Sequence, residues 1–184
     1  GTTGKPKGCQ IEHRGLVRRI AWFQRKYPLR ADDAMLLKTT YTFGISEWEM
    51  FWAPTVGASI VIARHDGHKI TSYIADLAMR ITVCCFVPSA LLALAELVLA
   101  DSIDGTRPAD AYTKLRFAIA CGEALTPATI EPFFQAFPQA LLTNVYGPTE
   151  ADMTYFELSR EKYQQNKRAP PIGIPKDNVI VYLL

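Results

Sequence analysis

Short apolar runs alternate along the chain with longer segments whose apolar residues recur every three or four positions. Residues 9–12 read as a short strand. Residues 13–27 place Leu16, Ile20 and Phe23 or Trp22 at helical spacing, with Arg18, Arg19, Arg25 and Lys26 elsewhere, which predicts a helix with a solvated basic face that Pro28 ends. A strand at 35–39 and a turn at 42–44 follow. Residues 45–54 predict a helix with Ile45, Trp48, Phe51 and Trp52 on one side, closed by Gly57, and 59–63 predict a buried strand. Residues 70–79 are amphipathic at helical period.

The most apolar stretch, 81–100, is long enough to cross a bilayer. Its β-branched start, the Pro88-Ser89 interruption and the ionised Glu96 fit a strand at 81–86 and then a helix with Pro88 in its first turn, so a membrane span is rejected. Residues 101–113 read as a surface loop, 115–120 as a strand, 127–137 as a helix capped by Thr126, and 140–143 as a short buried strand. An imperfectly alternating strand at 151–158, a solvated loop at 159–168 and a last strand at 179–184 complete the pattern. Strands alternating with helices of about ten residues imply βαβ units: an α/β fold, its mostly parallel sheet covered by helices.

Composition narrows the function classes. The 184 residues suffice for one domain with a sizeable core, and 49% hydrophobic content is ordinary for a globular protein. A net charge of +2 is too small to argue for nucleic acid. Cys9, Cys84, Cys85 and Cys121 lack metal-site spacing and read as reduced thiols of a cytoplasmic protein. The Arg64-His65-Asp66-Gly67-His68 cluster offers too few ligands for a metal and reads as a surface turn.

Two stretches suggest chemistry. Asn144-Val145-Tyr146-Gly147-Pro148-Thr149-Glu150 follows a strand and brings an aromatic face, an amide, a hydroxyl and a carboxylate to its carboxyl end, where open parallel sheets bind ligands. A nucleotide site and a well-made turn, with Tyr146 in the core and Glu150 as a cap, both account for it. Gly1-Thr2-Thr3-Gly4-Lys5-Pro6-Lys7-Gly8 alternates glycine, hydroxyl and lysine, as suits a loop folded around phosphate oxygens. It lacks Walker A spacing, and a flexible terminus is the other reading.

Together these motifs resemble the adenylate-forming superfamily, in particular the adenylation domains of nonribosomal peptide synthetases. The resemblance extends to Phe43-Gly44-Ile45-Ser46-Glu47-Trp48-Glu49-Met50-Phe51-Trp52, to Cys121-Gly122-Glu123-Ala124-Leu125, and to Ile172-Gly173-Ile174-Pro175 before Asn178. It implies ATP-dependent activation of a carboxylic acid as acyl-adenylate, with Mg²⁺. The acyl group then passes to the phosphopantetheine thiol of a carrier-protein partner. It further implies that Thr2, Thr3, Gly4 and Lys7 hold the β- and γ-phosphates, and that Tyr146, beside Gly147, stacks on adenine. Asn144 would contact the adenine amino edge, Gly122, Glu123 and Ala124 form the facing wall, Thr149 meet the α-phosphate and Glu150 bind Mg²⁺. By the same resemblance the chain is the central part of a large subdomain. It begins within the phosphate loop and ends before the ribose-binding Asp and the C-terminal lysine, so these residues alone are expected to be inactive.

The acid pocket implied by the resemblance comprises Phe43, Gly44, Ile45, Trp48, Cys85, Ile119, Cys121, Val145, Met153 and Thr154, nearly all apolar or weakly polar. Amino-acid-activating members carry Asp where this chain has Gly44. Burying an ammonium without a countercharge costs several kcal/mol, so an α-keto or α-hydroxy acid is expected. The alternatives are an amine held by a displaced carboxylate (Glu47 or Asp152), a related acyl- or aryl-CoA ligase, and a non-catalytic truncated copy.

Overall fold

The computed structural model describes residues 4–5, 8–108, 110–151 and 153–182. Its helices are α1 (His13–Lys26), α2 (Ile45–Phe51), α3 (Thr71–Ala78), α4 (Pro88–Asp104), α5 (Pro127–Ala136) and α6 (Arg160–Asn166). Strands β1 (Ala34–Leu37), β2 (Ser59–Ile62), β3 (Val83–Phe86), β4 (Phe117–Cys121), β5 (Leu141–Tyr146), β6 (Thr154–Leu158) and β7 (Ile174–Pro175) form one sheet in the order β2-β1-β3-β4-β5-β6-β7. The five strands from β2 to β5 pair in parallel, and β6 and β7 close that side antiparallel. The mostly parallel α/β sheet expected from the alternating pattern is therefore present.

Period-two alternation sends successive side chains of each central strand to opposite faces. Leu36, Cys84, Phe86, Ala118, Ala120 and Leu142 pack with the apolar sides of α3, α4 and α5, in a core of Leu, Ile, Ala and Phe. Met35, Val83, Cys85, Ile119, Cys121 and Val145 pack on the other face against α1 and α2, where Trp22, Phe23, Tyr27, Trp48 and Trp52 gather. Trp48 stacks on Phe23 with ring centroids 4.5 Å apart.

Several boundaries depart from the sequence pattern, each for a local reason. Residues 8–12 form no strand. The helix beginning at Ile45 stops at Phe51, and a 3-10 turn (Ala53–Val56) leads to Gly57, whose φ of 73° suits glycine. Phe51 is 47% exposed; the buried positions include Trp48, Glu49 and Trp52 instead. Glu49 can be buried because its carboxylate accepts the Lys38 N–H, the Thr39 N–H and the Thr39 hydroxyl at 3.0, 2.8 and 2.8 Å. The strand at 59–62 is an edge strand rather than a buried one, leaving Ile62 69% exposed. Helix α4 runs on to Asp104 and ends at left-handed Gly105, inside the stretch expected to be loop.

Thr126 sits at the α5 N-cap in extended conformation, but its side chain makes no capping bond. The polar 159–168 stretch is mainly helix, not loop. Ser159 Oγ accepts the Lys162 N–H at 3.2 Å, and Tyr163 buries its ring beside Phe134. Described residues 179–182 form no strand, and 183–184 lie outside the described residues. Among the described residues no helix is long and apolar enough to cross a membrane, and no group of His, Cys, Asp and Glu could hold a metal ion by itself.

Candidate functional site

The carboxyl ends of β4 and β5 lie side by side, with Cys121 paired to Val145 and Ala120 to Asn144. Beyond them the chain must leave the sheet. After β4 it does so at Gly122, whose φ of 86° a side chain rarely adopts. After β5 it turns at Gly147-Pro148, where Ala151 N–H donates to the Pro148 carbonyl at 3.1 Å. The Met153 N–H returns to the Tyr146 carbonyl at 3.1 Å and opens β6. Two clefts form around these departures, and Gly122, Val145 and Gly147 border both.

The larger cleft, about 500 Å³, is walled by Gly122, Glu123 and Ala124 on one side and by Asn144, Tyr146 and Gly147 on another. Glu123 is fixed by accepting the Ser89 N–H and Ser89 hydroxyl, each at 3.0 Å, which anchors the 122–124 turn to the first turn of α4. Asn144 is buried and donates Nδ2–H to the Pro171 carbonyl at 3.1 Å. The Tyr146 ring is 48% exposed, so it belongs to the cleft wall and not to the core. Ala169, Pro170 and Ile172 complete the enclosure. Gly173 makes that possible: with φ at 97°, it crosses β6 so closely that a Cβ would collide with the Tyr155 carbonyl. Thr154 Oγ donates to the Ile172 carbonyl at 2.6 Å and pins the same segment.

The smaller cleft, about 180 Å³, is bordered by Arg19, Phe43, Gly44, Ile45, Trp48, Cys121, Gly122, Val145, Gly147, Pro148 and Thr149. The turn before α2 delivers Phe43, 64% exposed, and Gly44 to its rim. Trp48 forms one wall, its Nε1–H donating to the Gly44 carbonyl at 2.9 Å. Gly44 has φ −57° and ψ −21°, ordinary helical values, and beyond its chain neighbours no heavy atom of the described residues lies within 4 Å of where its Cβ would be. Neither backbone conformation nor crowding demands glycine at this position. Its missing side chain opens space.

The residues named from sequence distribute unevenly over these clefts. Phe43, Gly44, Ile45, Trp48, Cys121 and Val145 come together around the smaller one. Cys85 and Ile119 are fully buried beneath it, Met153 is part-buried at the start of the return strand, and buried Thr154 turns toward Ile172; none of these four borders the cleft. Strand alternation explains Cys85: its thiol meets Cys121 at an Sγ–Sγ distance of 3.5 Å, one layer below the surface. That contact and burial push the Cys85 pKa well up, which keeps the thiol protonated.

Thr149 borders the smaller cleft and Glu150 a neighbouring groove shared with Arg18, Arg19, Arg25 and Lys176; neither borders the larger one. Gly4 lies in an exposed bend. Thr2, Thr3, Lys7 and Asp152 lie outside the described residues. Glu47 is ion-paired with Arg19 at 2.8 Å.

Sequence reasoning missed Arg19, which reads as one of several solvated arginines, and residues 169–171; Ile172 and Gly173 read as a motif but not as a cleft wall. The signals for that segment are the prolines at 170 and 171 just before that motif. Buried Glu49, which ties the end of β1 to α2 and thereby sets the turn carrying Phe43 and Gly44, has its pKa raised by burial, against the opposing pull of Lys38 and its hydrogen bonds.

Twin clefts meeting at the carboxyl ends of two parallel strands are a substrate-site arrangement of open α/β sheets, and residues 1–184 match the family described as AMP-binding enzyme, to which the chain therefore belongs. It is 39% identical over 189 residues to tyrocidine synthase 3 of Brevibacillus parabrevis and 36% identical over 191 residues to vanchrobactin synthetase VabF of Vibrio anguillarum. All of the chain is matched in both, but it spans only 3% and 6% of those synthetases. Among solved structures, it superposes on the Vibrio cholerae adenylation domain AlmE, bound to glycyl-adenosine-5'-phosphate, with TM-score 0.74 and 27% identity, covering 95% of this chain and 31% of that one. The nonribosomal peptide synthetase FmoA3 shares the fold at TM-score 0.82 and 22% identity, covering 96% and 18%.

Proposed function

We propose that the protein containing this chain is an acid–thiol ligase. It joins the AMP moiety of ATP to an α-keto or α-hydroxy acid and passes the acyl group to a carrier's phosphopantetheine thiol. The acid's carboxylate oxygen attacks the α-phosphorus, pyrophosphate leaves, and the carrier thiol later displaces AMP. The observation that carries the acid class is Gly44: a side chain would fit there without strain, yet none is present. Among the described residues bordering that cleft there is no carboxylate to offset an ammonium.

The larger cleft is the reading for the nucleotide. Tyr146 offers a ring face, Asn144 an amide, and the 122–124 turn an opposing wall. AlmE, which shares this fold, is solved with glycyl-adenosine-5'-phosphate, and this supports the reading that a site of this fold takes an acyl-adenylate. Thr149, which borders the smaller cleft, is assigned to the α-phosphate. Glu150 is exposed at the turn, a single carboxylate that suits Mg²⁺, which also takes phosphate oxygens and water; the ion would offset charge on the leaving phosphates. Thr2, Thr3, Gly4 and Lys7 are assigned to the β- and γ-phosphates. Within the whole protein the chain is the central part of the large subdomain, and the isolated 184 residues are expected to be inactive.

The test is ATP–pyrophosphate exchange by the full-length protein with amino, keto and hydroxy acids sharing one side chain. Exchange with the keto or hydroxy acid, at a kcat/KM well above that of the amino acid, is expected. A preference for the amino acid overturns the acid class. Undiminished exchange after Glu150→Gln or Lys7→Ala overturns those residue assignments.

A further inference from the structure

One wall of the larger cleft is held from outside it. The 122–124 turn has left the sheet after β4, whereas Tyr146, across from it, ends β5 and stays in register with β6. Gly122 and Ala124 have no side chain able to hydrogen-bond, so the turn's side-chain tie falls to Glu123. Its carboxylate accepts the Ser89 N–H and the Ser89 hydroxyl, each at 3.0 Å. That carboxylate supplies what α4 lacks. Pro88 opens the helix without an N–H and Val87 before it makes no side-chain cap, so Ser89 carries the first N–H of α4. The turn also packs close to that end of the helix: a Cβ on Gly122 would lie 3.4 Å from Val87 Cγ1. Ser89 itself does not border the cleft and reaches it through Glu123.

We propose that Ser89 is a positioning residue for the nucleotide: by holding Glu123 against the amino end of α4, it sets the distance between the 122–124 wall and the Tyr146 ring. This rests on the reading of the larger cleft as the nucleotide site. Two donors on one carboxylate fix its plane as well as its place, and hydrogen bonds to an ionised acceptor are roughly twice as strong as neutral ones. The amino end of a helix adds a favourable field for the negative charge. Glu123 is exposed, so without these bonds the turn would sample other positions, and a nucleotide would have to order it on binding. A flat base held between a ring and a backbone wall is sensitive to the width of the gap. Opening it by about 0.5–1 Å forfeits about a quarter to a half of the dispersion contact.

The experiment uses the full-length protein and pyrophosphate exchange, with ATP varied at saturating acid and then acid varied at saturating ATP. Ser89→Ala keeps the backbone N–H bond to Glu123 and removes the hydroxyl bond. It is expected to raise KM for ATP about 3- to 10-fold, with KM for the acid and the melting temperature little changed. Ser89→Thr, which keeps a hydroxyl, should restore the wild-type KM for ATP. Glu123→Ala removes both bonds and should raise KM for ATP further. Adding Ser89→Ala to Glu123→Ala should change nothing more, because the hydroxyl then has no carboxylate to act through. The two Ser89 variants carry the test by themselves if Glu123→Ala fails to fold.

A folded Ser89→Ala with the wild-type KM for ATP, a parallel rise of both KM values, or effects of Ser89→Ala and Glu123→Ala that simply add would each overturn the role of Ser89. Tyr146→Ala distinguishes that failure from failure of the reading beneath it. If Tyr146→Ala raises KM for ATP and Ser89→Ala does not, the nucleotide cleft stands without the Ser89 tie. An unchanged KM for ATP in Tyr146→Ala removes the cleft assignment and this inference with it.

Discussion

The two faces of the sheet are built from different materials. Toward α3, α4 and α5 the core is mostly aliphatic, with Phe rings and the rings of Tyr112 and Tyr163 among the helices, and it is served mainly by dispersion and burial. Toward α1 and α2 it is aromatic and threaded with polar groups. Trp52 Nε1–H donates to Gln24 at 2.8 Å, the Thr143 hydroxyl donates to Tyr27 at 3.1 Å, and the Lys176 ammonium lies 4.4 Å from the Trp22 ring centre. The smaller cleft opens only on this second side. The difference teaches where tolerance lies. An aliphatic face can be repacked at a cost in stability alone, whereas rings and hydrogen bonds on the other face also aim the side chains that meet a ligand.

The strongest challenge to this contrast falls at neither face but at the edge. Gly173→Ala forces a methyl into the Tyr155 carbonyl at a positive φ, so a loss of about 4 kcal/mol or more is expected, read by denaturant unfolding. Phe133→Ala, on the aliphatic face, should cost about 3–5 kcal/mol while leaving the ratio of acid substrates unchanged. A changed ratio would break the comparison. Trp48→Phe, on the aromatic face, should cost only about 1–2 kcal/mol, through the lost bond to Gly44 and some lost packing, yet alter KM for bulky acids in pyrophosphate exchange.

Glu49 gives a pH signature on the same face. Its raised pKa means the folded state holds the proton more tightly than the unfolded chain does. The stability it contributes is fully present below the ordinary Glu value of about 4.3 and is lost as pH rises through the raised value. Glu49→Gln should remove that fall from a series of melting temperatures against pH. The smallest effect on stability belongs to Tyr146→Ala, within about 0.5 kcal/mol because the ring is half exposed, with KM for ATP rising roughly tenfold. An unchanged KM would remove Tyr146 from the nucleotide assignment.

Long periodic segments are legible in the sequence. The strand–Pro88–helix unit, α1 and its Pro28 stop, and the parallel sheet all follow from spacing and breakers. Misses arise where a polar residue does what an apolar one usually does. Glu49 is buried because backbone donors surround it, so an aromatic stripe drawn through Phe51 misplaces the buried face. Helix α6 has Tyr163 as its lone apolar anchor, too weak a period to see. The site is legible as motifs but not as depth: Cys85 and Ile119 share a face with Cys121, and only the sheet reveals that they lie under the floor. Arg19 is invisible as a cleft residue because its helix face, read alone, is basic and solvated; its contact with Glu47 depends on the packing of α1 against α2.

Gly122, Val145 and Gly147 form a party wall, and under the proposed function that has a consequence for anyone wishing to redirect the protein to a new acid. Alterations to those three positions are felt on both sides at once, so gains in one cleft come with damage in the other. The helix-borne side, with Arg19, Gly44 and Trp48, touches the smaller cleft and not the larger. Reprogramming should start there, with the strand ends left as they are.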